Sequence, residues 1–310
     1  MLKLENALVW LVSAGAMLGL WGIENNAQAQ RAKVPLETLA QLDSFSQLYA
    51  DYDGRKLRLD LYRPKKRTKP LPAIVCIHGG GWRNGDRGSQ TAVAQTLAAH
   101  GYVAVTITYR LRDEAIFPAA IQDCKAAVRW LRANATRLGV DPERIGATGL
   151  SAGGHLAALL ATSGDIEELE GDGGNAGFSS TIQACVACGA QSDLESERIQ
   201  GLSRRPQDPF YQGFLGGTFD DVPKQYAFAS PRHHLDADDP PLVFVTGQND
   251  DPSTHAVVIR EELSQKKIPT NLLVIPDAPH AFLGTQKFFD EYIEFATDFF
   301  DSHLKRGTNK

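Results

Sequence analysis

Apolar and polar positions divide the chain into short strand-like runs and longer amphipathic segments. The run Phe45 to Ala50 leads to Asp53-Gly54, and beyond it Leu57, Leu59 and Leu61 recur at every second position. A period of two on either side of an Asp-Gly reversal predicts an antiparallel hairpin. From Ala73 onwards strand-like and helix-like runs alternate. Ala73 to Ile77 precedes Thr91 to His100, Val103 to Thr108 precedes Ala119 to Leu138, and Arg144 to Gly149 precedes Ala152 to Ala161. Ile182 to Cys188 follows; Leu242 to Thr246 then leads to a helix over His255 to Gln265, and Asn271 to Ile275 to an amphipathic Phe288 to Leu304. This alternation predicts an α/β fold: a mostly parallel central sheet, helices on both faces, and an antiparallel N-terminal hairpin. Two stretches interrupt the pattern, the Gly-rich Gly164 to Ser180 and an irregular, cap-like insert over about residues 191–240. Long loops of this kind commonly cover functional sites, so both are expected on the rim of a pocket.

Composition narrows the picture only a little. With 43% hydrophobic and 22% charged residues, the 310-residue chain can bury a core and is not disordered. Lys and Arg total 32 against 37 Asp and Glu, a net charge of −5, so nucleic acid is excluded as a partner by the lack of a basic excess. No internal repeat divides the chain, and a single α/β domain over residues 30–310 accommodates it.

The N-terminus carries a separate signal. Ala7 to Ile23 is a 17-residue stretch without a charge, preceded by Lys3 and followed by Ala27-Gln28-Ala29. A basic start, an apolar centre and a small-x-small site predict a signal peptide over residues 1–29, and hence export to the periplasm or beyond. A retained anchor is the alternative, since 17 residues lie near the minimum for a membrane-crossing helix. Cleavage removes Lys3, Glu5 and Glu24 and moves the net charge from −5 to −4. No later apolar run is long enough to cross a bilayer, so no membrane association is expected after cleavage.

Export permits disulfides, yet Cys76, Cys124, Cys185 and Cys188 read as core filler, because Cys76 and Cys185 lie in apolar strand-like runs. Cys185-x-x-Cys188 lacks the second Cys pair that a zinc or redox motif of this type would add, and no metal or cofactor is expected. The basic run Arg63 to Pro70 reads as a solvated connection rather than an anion site.

The chemistry sits at strand ends. Gly149-Leu150-Ser151-Ala152-Gly153 stands where a strand ends and a helix begins, the position at which a Ser on a strained turn projects its Oγ above a sheet. His78-Gly79-Gly80-Gly81-Trp82 follows an apolar strand earlier in the chain. Its glycines leave backbone N–H groups unobstructed, so Gly80 and Gly81, with Ala152, form a candidate oxyanion hole. Each such donor is worth roughly 2.7 to 4 kcal/mol in acyl transfer. A phosphate cradle would need a Lys and a Ser/Thr at set spacing, and none follows.

A serine nucleophile needs a histidine base and an acid to orient it. Of the eight histidines, His78 braces the glycine turn, His100 caps a helix and His155 lies inside one; His233, His234, His255 and His303 have no comparable placement. His280, in the loop between the last strand and the last helix, is the candidate base. The acid is expected at Asp250, three residues after the Gly that ends its strand, with Asp251 as a helix N-cap ahead of Pro252 and Asp193 as a loop cap. Ser151, Asp250 and His280 then occur in the order that nucleophile-elbow hydrolases use. Trp82 is the candidate substrate-binding residue; Arg83, Tyr109, Phe210, Tyr211 and Phe214 either line a sugar- or aryl-binding rim with it or pack the insert.

These motifs carry a resemblance. His78 to Trp82, Tyr109-Arg110-Leu111, Phe117 to Leu131, Gly149 to His155 and Pro279-His280-Ala281-Phe282 together resemble the α/β-hydrolases, close to the bacterial feruloyl-esterase-like (BD-FAE) group and the wider hormone-sensitive-lipase-like esterases. The resemblance implies an α/β-hydrolase fold and cofactor-free serine carboxylester hydrolysis, often on acylated plant polysaccharides, so that the partner would be a small-molecule or carbohydrate ester. One departure is that relatives commonly carry Val-Pro beginning three residues after the acid, where this chain has Ser253-Thr254. The rival readings are an amidase or peptidase of the same fold and a non-catalytic binding module. A lipase is disfavoured, since the insert contains Glu195, Glu197, Arg198, Arg204, Arg205 and Asp208 rather than an apolar lid.

Overall fold

The computed structural model describes residues 32–164 and 166–305. The export segment expected over residues 1–29 lies outside the described residues. Eight strands form one sheet: β1 (Leu42–Tyr52), β2 (Arg55–Pro64), β3 (Leu71–Ile77), β4 (Val103–Ile107), β5 (Val140–Leu150), β6 (Ala184–Cys188), β7 (Leu242–Gly247) and β8 (Leu272–Ile275). Their spatial order is β1-β2-β4-β3-β5-β6-β7-β8. The first two strands pair antiparallel, β2 pairs antiparallel with β4, and every pair from β4 to β8 is parallel. This is the expected architecture, a hairpin edge on a parallel sheet.

Local sequence explains these elements. At the hairpin tip Asp53 and Gly54 both take positive φ, 49° and 97°, as a tight reversal between twisted strands requires. The alternating Leu57, Leu59 and Leu61 are fully buried beneath it. The parallel strands are apolar on both faces because helices cover both. A short α1 (Leu36–Leu39) precedes β1; on one side of the sheet α2 (Thr91–Ala99) and the long C-terminal α10 (Gln286–Phe300) pack on Ile74, Cys76 and Val186. On the other, α3 (Ala119–Ala133), α5 (Ala152–Thr162) and α9 (Val257–Gln265) pack on Val75, Ile77 and Ala187. All four cysteines are buried and unpaired. Cys185 and Cys188, an odd number of positions apart on β6, enter opposite cores.

Several expected boundaries shift. The helix anticipated over Ala119 to Leu138 divides at Asn134 into α3 and a short α4 (Ala135–Leu138). The segment anticipated over His255 to Gln265 begins as a 3₁₀ turn (Pro252–His255), passes Ala256 at φ 51° and continues as α9. The insert is not irregular throughout, since it forms α6 (Glu197–Ser203), α7 (Tyr211–Leu215) and α8 (Pro223–Phe228). These helices are too short to show a clear period in a Gly- and Pro-rich stretch. The loop from Gly164 to Ser180, expected on the rim of a pocket, does not line the cavity beside Ser151. Lys125 and Arg129 of α3 both bond to Glu170, at 2.8 and 2.5 Å, and dock that loop away from the cavity.

Candidate active site

The loops that leave the carboxyl ends of β3, β5, β7 and β8 meet above the sheet, the usual place for ligands in α/β folds. Ser151 lies between β5 and α5 at φ 60°, ψ −122°, a conformation that a side-chain-bearing residue rarely adopts. Its neighbours make the turn possible. A Cβ on Gly153 would lie 2.1 Å from the carbonyl oxygen of Ile77, and one on Gly154 would lie 2.2 Å from that of Cys188. Only glycine lets β3 and β6 approach the start of α5 so closely. The Ser151 amide donates to Cys188 O at 2.8 Å, and Ser151 O accepts from His155 N at 2.9 Å.

Three side chains from separate loops converge at this turn. Ser151 Oγ lies 2.8 Å from His280 Nε2, and His280 Nδ1 lies 2.8 Å from each carboxylate oxygen of Asp250. A carboxylate accepts only, so Nδ1 carries the proton and Nε2 is left to accept from the serine hydroxyl. Asp250 is 3% exposed and His280 46%, so the acid is shielded while the base reaches solvent. The hydrogen bond to Asp250 raises the His280 pKa above the ordinary imidazole value, against the opposing effect of desolvation. Asp250 is oriented in turn by Asp251 N, which donates to it at 2.6 Å.

Asp251 and Asp193 are occupied elsewhere. The Asp251 carboxylate caps the following turn at Ser253 N and pairs with Arg198 of α6, which holds it well below the usual carboxylate range, at about 2. Asp193 accepts from Glu195 N and pairs with Arg232.

The glycine loop is braced from below. The His78 ring stacks on Tyr109 with centroids 4.2 Å apart, its Nδ1–H donates to Gly79 O, and Tyr109 Oη–H donates to His78 O. Gly81 and Ala152 line the cavity beside Ser151, and Ala152 opens α5, where amides lack intrahelical acceptors. Gly80, at φ 119°, is not in the cavity wall, and a Cβ there would lie 2.0 Å from the backbone oxygen of Asn84, four residues on.

Trp82 also lies in the cavity wall but is only 4% exposed. Its indole stacks on Phe214 at 4.4 Å and donates Nε1–H to His155 Nδ1, so His155 Nε2–H donates to Ala229 O. Burial pushes the His155 pKa down to about 4 and keeps it neutral. Of the remaining aromatic candidates, Tyr109 and Phe214 are buried as packing, Tyr211 is buried in the cavity wall, and Phe210 is half exposed in the cavity. Arg83 is not in the cavity wall.

The cavity measures about 320 Å³. Ser151, Asp250 and His280 line it, and the insert adds Leu202, Arg205, Asp208, Pro209, Phe210 and Tyr211. Two features, one in the cavity wall and one beside it, were not expected from the sequence. Gly189, after β6, takes φ 53°, and a Cβ there would lie 3.1 Å from the His280 ring and 3.3 Å from the Asp250 carboxylate. A glycine directly after a buried strand was the available signal. Arg112, which fastens the insert from outside the cavity, had no sequence signal.

The BD-FAE family profile matches residues 59–263. The chain belongs to the BD-FAE family. Among curated relatives, esterase LipC of Mycobacterium tuberculosis is 32% identical over 240 residues, covering 76% of this chain and 59% of LipC. The chain thus spans less than two thirds of that relative's length. Among solved structures, a truncated carbohydrate esterase from gut microbiota matches with TM-score 0.73 and 26% identity over 85% of this chain and 97% of that one. The propionate-bound esterase Est2 of Thermogutta terrifontis matches with TM-score 0.71 and 28% identity, covering 84% and 94% respectively. These similarities extend across the α/β-hydrolase fold of this BD-FAE member.

Proposed function

We propose that this BD-FAE protein is an exported carboxylic ester hydrolase acting through an acyl-enzyme on Ser151. The observation that carries the reading is the His280 ring, 2.8 Å from Ser151 Oγ on one side and 2.8 Å from both Asp250 oxygens on the other. Esterase names among its relatives and structural neighbours support it.

His280 Nε2 takes the hydroxyl proton as Ser151 Oγ forms a bond to the ester carbonyl carbon. Amides of Gly81 and Ala152, with Gly80 behind them, stabilise the oxyanion. The tetrahedral species collapses by breaking the bond to the alkoxy oxygen, which leaves as the alcohol with the proton from Nε2. A water then attacks the acyl-serine, giving its proton to His280. Release of the carboxylic acid returns that proton to Ser151. Asp250 holds the ring in the required tautomer and stabilises the imidazolium formed in each half-reaction.

Small or carbohydrate-borne esters are the proposed substrates. A cavity of about 320 Å³ suits a small acyl group with its alcohol projecting to solvent, and one structural neighbour bears the name carbohydrate esterase. Export rests on the N-terminal sequence pattern. The test is hydrolysis of p-nitrophenyl acetate by the full chain, with mass spectrometry of a fluorophosphonate adduct. Turnover with a single adduct on Ser151, absent from Ser151→Ala, is expected; turnover retained by that variant would overturn the mechanism.

A further inference from the structure

Phe210 differs from its aromatic neighbours in the insert. Tyr211 and Phe214 are buried, whereas Phe210 is 46% exposed and lines the catalytic cavity. Its ring rests on the oxyanion loop: a Cβ at Gly81 would lie 2.7 Å from Phe210 Cδ1 and 2.9 Å from Cε1. Gly81 takes φ 59° and bears no side chain, so the ring packs against the Cα of a residue whose amide is proposed to bind the ester oxygen. A substituent on the reacting carbonyl carbon that turns towards Gly81 meets this ring first.

The ring is held from behind. Arg112 Nη1 donates to Pro209 O at 2.6 Å and to Phe210 O at 3.0 Å, while Arg112 N donates to Trp82 O at 2.8 Å. One residue therefore ties the oxyanion loop to the segment that presents Phe210. The guanidinium lies flat on Gly213, where a Cβ would be 2.9 Å from Cζ, Nε and Nη1. The Asp208 carboxylate accepts from Phe210 N and Gln212 N at 3.1 and 2.7 Å, fixing the same turn from its other end. These bonds fix the Phe210 backbone, and with it the point from which the half-exposed ring projects against Gly81.

We propose that Phe210 determines which esters the site accepts, by limiting the bulk of the carbonyl substituent on the Gly81 side, and that Arg112 is the positioning residue that holds it there. This rests on the ester-hydrolase reading. Nothing in the catalytic chemistry needs Phe210, which acts by shape, and Arg112 touches neither substrate nor the reacting atoms.

The experiment measures kcat/KM of the full chain in two ester series. One compares p-nitrophenyl acetate with the hexanoate, varying the acyl group; the other compares ethyl with cyclohexyl acetate, varying the alcohol. Phe210→Ala is expected to raise the bulky-to-small ratio at least tenfold in one series, and Phe210→Trp to lower it; the responding series identifies the substituent that faces the ring. Arg112→Gln is expected to move that ratio at least threefold in the Phe210→Ala direction without moving the acid limb of the pH profile. Gly213→Ala, whose methyl displaces the guanidinium, gives the same direction if Arg112→Gln fails to fold. Ratios within twofold of wild type for Phe210→Ala in both series would overturn the proposal. A shift with Phe210→Ala but none with Arg112→Gln or Gly213→Ala would overturn the role of Arg112. Loss of all ester turnover in the wild type would instead overturn the hydrolase reading beneath it.

Discussion

The carboxylates of Asp250 and Asp251, adjacent in the chain, point to different partners: Asp250 to the His280 ring and Asp251 to the Arg198 guanidinium. Asp250→Asn removes the acceptor that fixes the ring tautomer, and kcat is expected to fall by on the order of 10⁴. Asp251→Asn keeps an amide donor for Asp250 and should cost less than about tenfold. Steady-state kinetics on p-nitrophenyl acetate distinguish the two; the opposite ranking would reassign the acid.

Ser151→Ala should lower kcat by on the order of 10⁴ to 10⁶, since the nucleophile, base and acid act as a unit. The hydroxyl packs little, so the melting temperature, read by circular dichroism, should stay close to wild type. A large drop in melting temperature would mean that the turn depends on the hydroxyl.

Catalysis needs His280 neutral, and its pKa is raised chiefly by the bond to Asp250. The acid limb of kcat/KM should therefore lie above the ordinary imidazole value of about 6.5. Asp250→Asn should move it to lower pH, although residual activity is small. A limb that stays in place in that variant would separate it from His280 ionisation. The same raised pKa contributes stability that is present below the unfolded value and lost as pH rises through the folded one.

His155 acts in the opposite sense. Its folded pKa of about 4 lies below the unfolded value, so the unfolded chain binds the extra proton first, and stability is lost as pH falls from about 6.5 towards 4. The full loss is about 3 kcal/mol. His155→Gln retains an acceptor for Trp82 and a donor for Ala229 O, and denaturant melts between pH 7 and 5 should show a shallower pH slope. An unchanged slope would move the effect to other buried histidines.

Gly154→Ala tests the close approach of β6 to the nucleophile turn. The added methyl meets Cys188 O at 2.2 Å, and overpacking of this kind costs about 1–3 kcal/mol or more. Lower stability together with reduced turnover is expected from denaturant melts and kinetics, whereas a stable, fully active variant would show that the backbones can separate.

Local pattern alone determined much of this protein, wherever the physical cause was itself local. The alternation of Leu57, Leu59 and Leu61 and the Asp53-Gly54 reversal define the hairpin, because strand period and positive φ are properties of a few consecutive residues. The glycines around Ser151 and in His78 to Trp82 mark the nucleophile turn and the amide loop for the same reason. Tertiary structure alone decided what depends on distant partners. The roles of Asp250 and Asp251 were legible locally, since Asp251 caps Ser253 N as its place ahead of Pro252 implied, but the pairing of Asp251 with Arg198 follows from where α6 brings that guanidinium. The burial of Trp82, the exposure of Phe210 and the reach of Arg112 depend on how the insert folds back over the sheet, and the clearance at Gly189 on how the loops after β6, β7 and β8 meet. Short helices α6 to α8 leave too few turns for a period, so their packing could not be read before the chain was folded.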